Sequence, residues 1–116
     1  MHPNTRALVA FVAAKLISSE GSGSVYDYSR SRHISVSGTV SAGSVRLYDH
    51  DRGCHFGGSE RSLYDYGRGS DVSLTVTGEA FSGYDYGEAH HFSGTVSGRK
   101  VILYDYGESE YLSYSV

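Results

Sequence analysis

The stretch LYDYGRGSDVSLTVTGEAFSGYDYGEAHHFSGTVSG, residues 63–98, holds two copies of one pattern. In each, an apolar or small residue precedes Tyr-Asp-Tyr, four turn-forming residues follow, and a run alternating polar and apolar residues closes the unit. The same pattern appears as VYDYSRSRHISVSG from Val25, LYDHDRGCHFGG from Leu47 and LYDYGESEYLSYSV from Leu103. The five units, at 25, 47, 63, 83 and 103, set their tripeptides 16 to 22 residues apart. Self-similarity at this period marks stacked or meandering supersecondary units.

The blocks SRSR, DRGC, GRGS, GEAH and GESE after the tripeptides are rich in Gly, Ser and Asp, and they separate β-branched and aromatic runs. They predict turns between two short strands per unit. Strand periodicity then assigns the faces. Ile34, Val36, Val72, Leu74, Val76, Phe92, Val96, Leu112 and Val116 share the core parity of the second strands, and Val45, Leu47, Leu63, Phe81, Val101 and Leu103 that of the first. The tyrosines of each tripeptide take the opposite parity and are predicted to face outward. Phe81 and Phe92 each precede a glycine by two residues, Gly83 and Gly94, a large and small alternation suited to two facing layers.

Two architectures satisfy these constraints. The leading expectation is a mainly β fold in which an N-terminal α-helix caps a five-unit β-solenoid or β-roll, with equivalent residues stacked on neighbouring coils. The alternative is an antiparallel β-meander closed as a barrel or sandwich. Stacked columns favour the solenoid, whereas five stacked aspartates argue against it unless each accepts turn amides.

The first residues differ from the rest. RALVAFVAAKLISS, Arg6–Ser19, is rich in Ala and Leu without Gly or Pro, which predicts a helix over 4–19. Asn4 or Thr5 is expected to cap it after Pro3, and Gly21 with Gly23 to end it. Its apolar run, Ala7 to Ala14, is far too short to span a bilayer. The 116 residues fit one domain, 1–116, with the repeats over 25–116.

The single Cys54 excludes an internal disulfide and is compatible with a cytoplasmic setting. A net charge of −3 does not point to nucleic acid or an anionic membrane. The second turn position reads Arg30, Arg52, Arg68, Glu88, Glu108, so a stacked repeat would have one basic and one acidic end. Val116 would leave an uncovered strand edge on a solenoid, which predicts a homodimer.

The function expected from these residues is a non-enzymatic binding or scaffold module without a cofactor. Its outward array, Tyr26, Tyr28, Tyr48, Tyr64, Tyr66, Tyr84, Tyr86, Tyr104 and Tyr106, offers rings to a protein or carbohydrate partner. Metal binding is the alternative: calcium through Asp27, Asp49, Asp65, Asp85 and Asp105, or a transition metal through His33, His55 and His91. The calcium β-roll signature Gly-Gly-x-Gly-x-Asp and the EF-hand loop are both absent, and turn capping explains the aspartates better. A small hydrolase ranks third, because no nucleophile elbow, phosphate loop or His-Glu-x-x-His occurs. VRLYDHDRGCHFGG resembles a βγ-crystallin Greek-key hairpin, but the Tyr48 to Phe56 interval is longer and the paired acidic calcium signature is missing, so no residue role carries over.

Overall fold

The computed structural model describes residues 1–116. Helix α1 (Pro3–Ser18) precedes ten strands: β1 (Ser24–Asp27), β2 (Arg32–Ser41), β3 (Ser44–Asp49), β4 (Cys54–Gly58), β5 (Ser62–Asp65), β6 (Ser70–Thr77), β7 (Ala80–Asp85), β8 (His90–Ser97), β9 (Lys100–Asp105) and β10 (Glu110–Ser115). Each repeat unit is one hairpin, with its turn directly after the tripeptide aspartate. Every consecutive pair of strands is antiparallel, and β10 returns to β1 through Tyr26↔Ser115 and Asp27↔Tyr114. The sheet therefore closes as a ten-stranded antiparallel barrel, and its sequential order contains no Greek key.

This corrects the solenoid. Turns of four residues return the chain only to an antiparallel neighbour, so the two strands of a unit pair with each other. Equivalent residues consequently lie two strands apart, at roughly 9.6 Å, which also eases the repulsion expected of stacked aspartates. Closure leaves no open edge at Val116, and the argument for a dimer through that edge no longer applies.

The helix does not cap an end; it threads the barrel. Eight strands make a barrel that side chains alone can fill, and a ten-stranded one leaves room for more. Every residue from Asn4 to Ala14 is buried, on all sides of the helix. Ala7, Ala10, Ala13 and Ala14 keep α1 slim, while Leu8, Val9, Phe11 and Val12 join Ile34, Leu47, Phe56, Leu63, Leu74, Phe92 and Leu103 in one continuous core. The helix is not long and apolar enough to cross a membrane. Its cap is His2, whose Nδ1 accepts the Asn4 amide at 3.1 Å, rather than Asn4 or Thr5. At the other end Ser19, in the left-handed region at φ 60°, stops it two residues before Gly21.

The phenylalanines and glycines do interlock, but on adjacent strands rather than across layers. Phe81 pairs with Gly94 and Gly83 with Phe92. A Cβ at Gly94 would lie 2.4 Å from the Phe81 ring, so each glycine is the space its neighbour's ring needs.

The residue just before the second strand of each hairpin is left-handed in all five: Ser31, Gly53, Gly69, Ala89 and Ser109. Only two of these are glycine. Ala89, at φ 59° and exposed, carries a backbone strain of order 1 kcal/mol that glycine would not. Ala89→Gly is therefore expected to raise stability by about 0.5–1 kcal/mol, after the entropic cost of glycine is set against the relief. Urea unfolding checks this, and a destabilised variant would show that the turn is not strained at Ala89.

Candidate functional site

In the first strand of each unit the aspartate shares the inward parity of the preceding apolar residue. Asp27, Asp49, Asp65, Asp85 and Asp105 are accordingly all fully buried, in a ring at one mouth of the barrel. Each caps its own turn: Oδ1 accepts the amide two residues on, from Ser29, Asp51, Gly67, Gly87 and Gly107, at 2.9–3.0 Å. The turn role expected from the sequence thus holds in all five units.

The second carboxylate oxygens meet cations. Arg30 Nε donates to Asp27 at 2.6 Å, and Arg52 donates to Asp49 at 2.6 Å and to Asp65 at 3.1 Å. Arg68 bonds Asp65 at 3.1 Å and then Asp85 through two nitrogens, at 3.0 and 2.9 Å. In the last two units the arginine is replaced by Glu88 and Glu108; Asp85 is already paired with Arg68, and for Asp105 the N-terminal segment supplies the charge. The Met1 ammonium reaches Asp105 at 3.0 Å and Glu88 at 3.1 Å, and Arg6 Nη1 reaches Asp105 at 3.1 Å. Asn4 donates to Asp49 at 3.1 Å and Thr5 to Asp65. Five carboxylates therefore face four guanidiniums and one amine, around the positive end of the helix dipole. At Glu88 the change of sign along the turns is complementarity to the Met1 ammonium.

Burial pushes the carboxyls of Asp27, Asp65 and Asp105 up, but their hydrogen bonds and cations outweigh it and hold each below the usual range. His2 is held low, by burial and then by Arg52, which keeps the ring neutral enough to accept the Asn4 amide.

Tyr114 shows what parity, followed to its end, would have revealed. It lies between Leu112 on β10 and Val116 just beyond the strand, shares their inward parity, and is fully buried. Burial pushes its phenol up to about 12, against the pull of Arg6.

The tyrosine pairs lie outside, as expected. The first ring of each pair is half-buried and the second exposed, and the two meet edge to face at 4.7–4.9 Å in four units, with His50 taking the second place beside Tyr48. A cross-strand ring completes four clusters: His33 on Tyr26, His55 on Tyr48, His91 on Tyr84 and Tyr111 on Tyr104. Tyr64 faces Asp71 instead. His33, His55 and His91 sit on β2, β4 and β8, so no two share neighbouring strands.

Elsewhere Asp85, Glu88 and His90 offer ligand atoms within 4.8 Å of one another. Arg68 and the Met1 ammonium already occupy that space, as guanidiniums occupy the rest of the ring, and a cation would have to displace them. Ser37 Oγ and His50 Nε2 are 2.8 Å apart on the exposed face, but no carboxylate orients the other nitrogen of His50.

With the lumen filled by α1, the two principal concavities lie on the outer face. The larger, about 800 Å³, crosses β6 to β10 and is walled by Tyr104, Tyr106 and Tyr111. The smaller, about 650 Å³, lies over β3 and β4 beside Arg46, His55 and Tyr66. Compared with known protein families, curated proteins and solved structures, the chain has no match.

Proposed function

We propose that this chain is a non-enzymatic binding module, in which a helix-filled barrel presents outward tyrosines to a partner. The observation that carries the reading is the concavity over β6–β10, which places three exposed or half-exposed rings around one depression. Tyr111, at 75 %, is the most exposed of the large hydrophobic side chains, and Tyr106 is exposed at 55 %. Rings held edge to face by a neighbour are ordered before a ligand arrives, so docking costs them little rotational freedom. The interior offers no competing site, because α1 occupies it. The aspartate ring is better suited to holding that helix than to turnover: its groups are bonded to one another and buried.

The test is an array of oligosaccharides and peptides, probed with the native chain and with Tyr106→Ser/Tyr111→Ser. The double variant is expected to lose the native binding pattern while folding, with a cost of about 1–2 kcal/mol from the two lost ring contacts. Tyr28→Ser/Tyr86→Ser, equally exposed but outside the concavity, should keep the pattern. Unchanged binding by the first variant would remove the tyrosine surface from the function.

A further inference from the structure

The geometry points to a neutral oligosaccharide as the ligand of the concavity over β6–β10; this rests on the binding-module reading and names the chemistry of its ligand. The floor follows from strand register. Thr75↔Ser82, Ser82↔Ser93, Ser93↔Tyr104 and Tyr104↔Tyr111 are successive direct pairs, so these residues form one row across five strands on the outer face. A second row runs beside it, Thr77, Ala80, Thr95 and Ile102. The result is a strip of hydroxyls that ends against aromatic rings, spanning four strand spacings, or roughly 19 Å. That length suits a short chain of sugars rather than a single one.

Three features define the ligand. No lining residue carries a charge: Glu79, Lys100 and Glu110, close by in sequence, fall outside the lining, and Asp105, between Tyr104 and Tyr106, is buried on the inner face. A charged ligand would lose water there without gaining a counter-ion. Secondly, the hydroxyls of Thr75, Thr77, Ser82, Ser93 and Thr95 make no hydrogen bond to the protein, whereas Ser73 on the same sheet is engaged with the Tyr84 amide. Each free hydroxyl both donates and accepts, which matches the hydroxyls of a sugar. Thirdly, the tyrosine rings present flat apolar faces with polar rims, suited to the C–H face of a pyranose. A peptide finds neither an open sheet edge to extend nor a deep apolar pocket for an anchor.

The repeat supplies its own control. The equivalent row four strands earlier reads Thr39, Arg46, Gly57, Tyr64, Asp71. There the positions of Ser82 and Tyr111 hold Arg46 and Asp71. Two rows built on one pattern have diverged, one keeping charge and the other excluding it.

The experiment titrates the full chain with the hexasaccharides of β-1,4-linked glucose, α-1,4-linked glucose and β-1,4-linked N-acetylglucosamine, with a hexagalacturonate as the anionic counterpart. Tyrosine emission, unobscured because the chain has no tryptophan, reports binding, and amide NMR shifts locate it. At least one neutral hexasaccharide is expected to bind and to shift Ser82, Ser93 and Thr95. Tyr111→Ala should weaken it about tenfold or more, a change of about 1.4 kcal/mol, and Ser82→Arg, which copies the earlier row at an exposed site, should abolish it with the melting profile retained. Equal or tighter binding of the hexagalacturonate, or shifts centred on Arg46 and His55, would overturn the proposal. So would silence toward every neutral hexasaccharide at millimolar concentration; if array peptides then still bind in a Tyr106- and Tyr111-dependent way, the binding-module reading survives alone, and if nothing depends on those tyrosines, both fail.

Discussion

Replacing Asp65 by alanine is expected to lower stability by about 3–5 kcal/mol, the cost of breaking a buried ion pair from one side. For a domain of this size that is a fall in Tm of about 10–25 °C. Asp65 is fully buried and accepts from Thr5, Arg52, Arg68 and the Gly67 amide. Its removal leaves two guanidiniums with one carboxylate fewer, and opens the turn it caps. The pair Arg32–Asp51 provides the contrast, since both side chains are partly exposed and Arg32→Ala, which removes that one contact, should cost less than about 1 kcal/mol. If the two variants melt alike, the ring is not a unit of buried charge.

The same ring sets the response to acid. Asp27, Asp65 and Asp105 have carboxyls held below the ordinary value of 3.8, so the unfolded chain takes up protons first as pH falls. Their contribution is complete above that value and is lost as pH drops through the folded ones. His2 acts with the same sign at higher pH, because its folded imidazole titrates below the 6.5 of the unfolded chain. Urea midpoints measured across pH should therefore decline gently below about 6.5 and steeply below about 4. In Asp65→Ala the steep limb should be shallower.

What the sequence disclosed depended on whether a signal was local. Alternation in runs such as Asp71–Thr77 fixes strand and face from neighbours alone, and the tyrosines and Val72 or Leu74 fall on opposite sides accordingly. The turn role of the aspartates is equally local. Closure is not, because it rests on Asp27 meeting Tyr114, partners separated by most of the chain, and no residue near either announces the pairing. Nor is the charge balance: Glu88 and Glu108 read as an acidic end until Met1 and Arg6 are brought beside Asp105. The groove was hidden for a related reason. Thr75, Ser82, Ser93 and Tyr104 are ordinary outward residues one by one, and become a row only through register. Tyr114 is legible from its parity with Leu112 and Val116, although the tyrosines of the tripeptides all take the outer face.

Deleting residues 1–20 is expected to abolish folding of the remainder, the largest effect of any change considered. A cap on one end of a repeat could be lost with most of the structure intact. A helix that fills the lumen cannot, because all ten strands turn their apolar faces toward it. Leu8, Val9, Phe11 and Val12 are each almost completely buried, and at about 1.5–3 kcal/mol apiece they supply about 6–12 kcal/mol, as much as the whole net stability of a typical domain. The deletion also strips the aspartate ring of Met1, Asn4, Thr5 and Arg6, leaving buried carboxylates in excess. The fragment 21–116 should show collapsed amide dispersion and no cooperative melt. Because only the short segment 19–23 joins α1 to β1, a synthetic peptide of residues 1–20 should restore both in a saturable manner. The same peptide carrying Leu8→Asp and Val12→Asp should not, since it would bury two unpaired charges against the strands. A fragment that folds by itself, with native dispersion, would show that the strands close over their own side chains and that the helix is a passenger rather than the core.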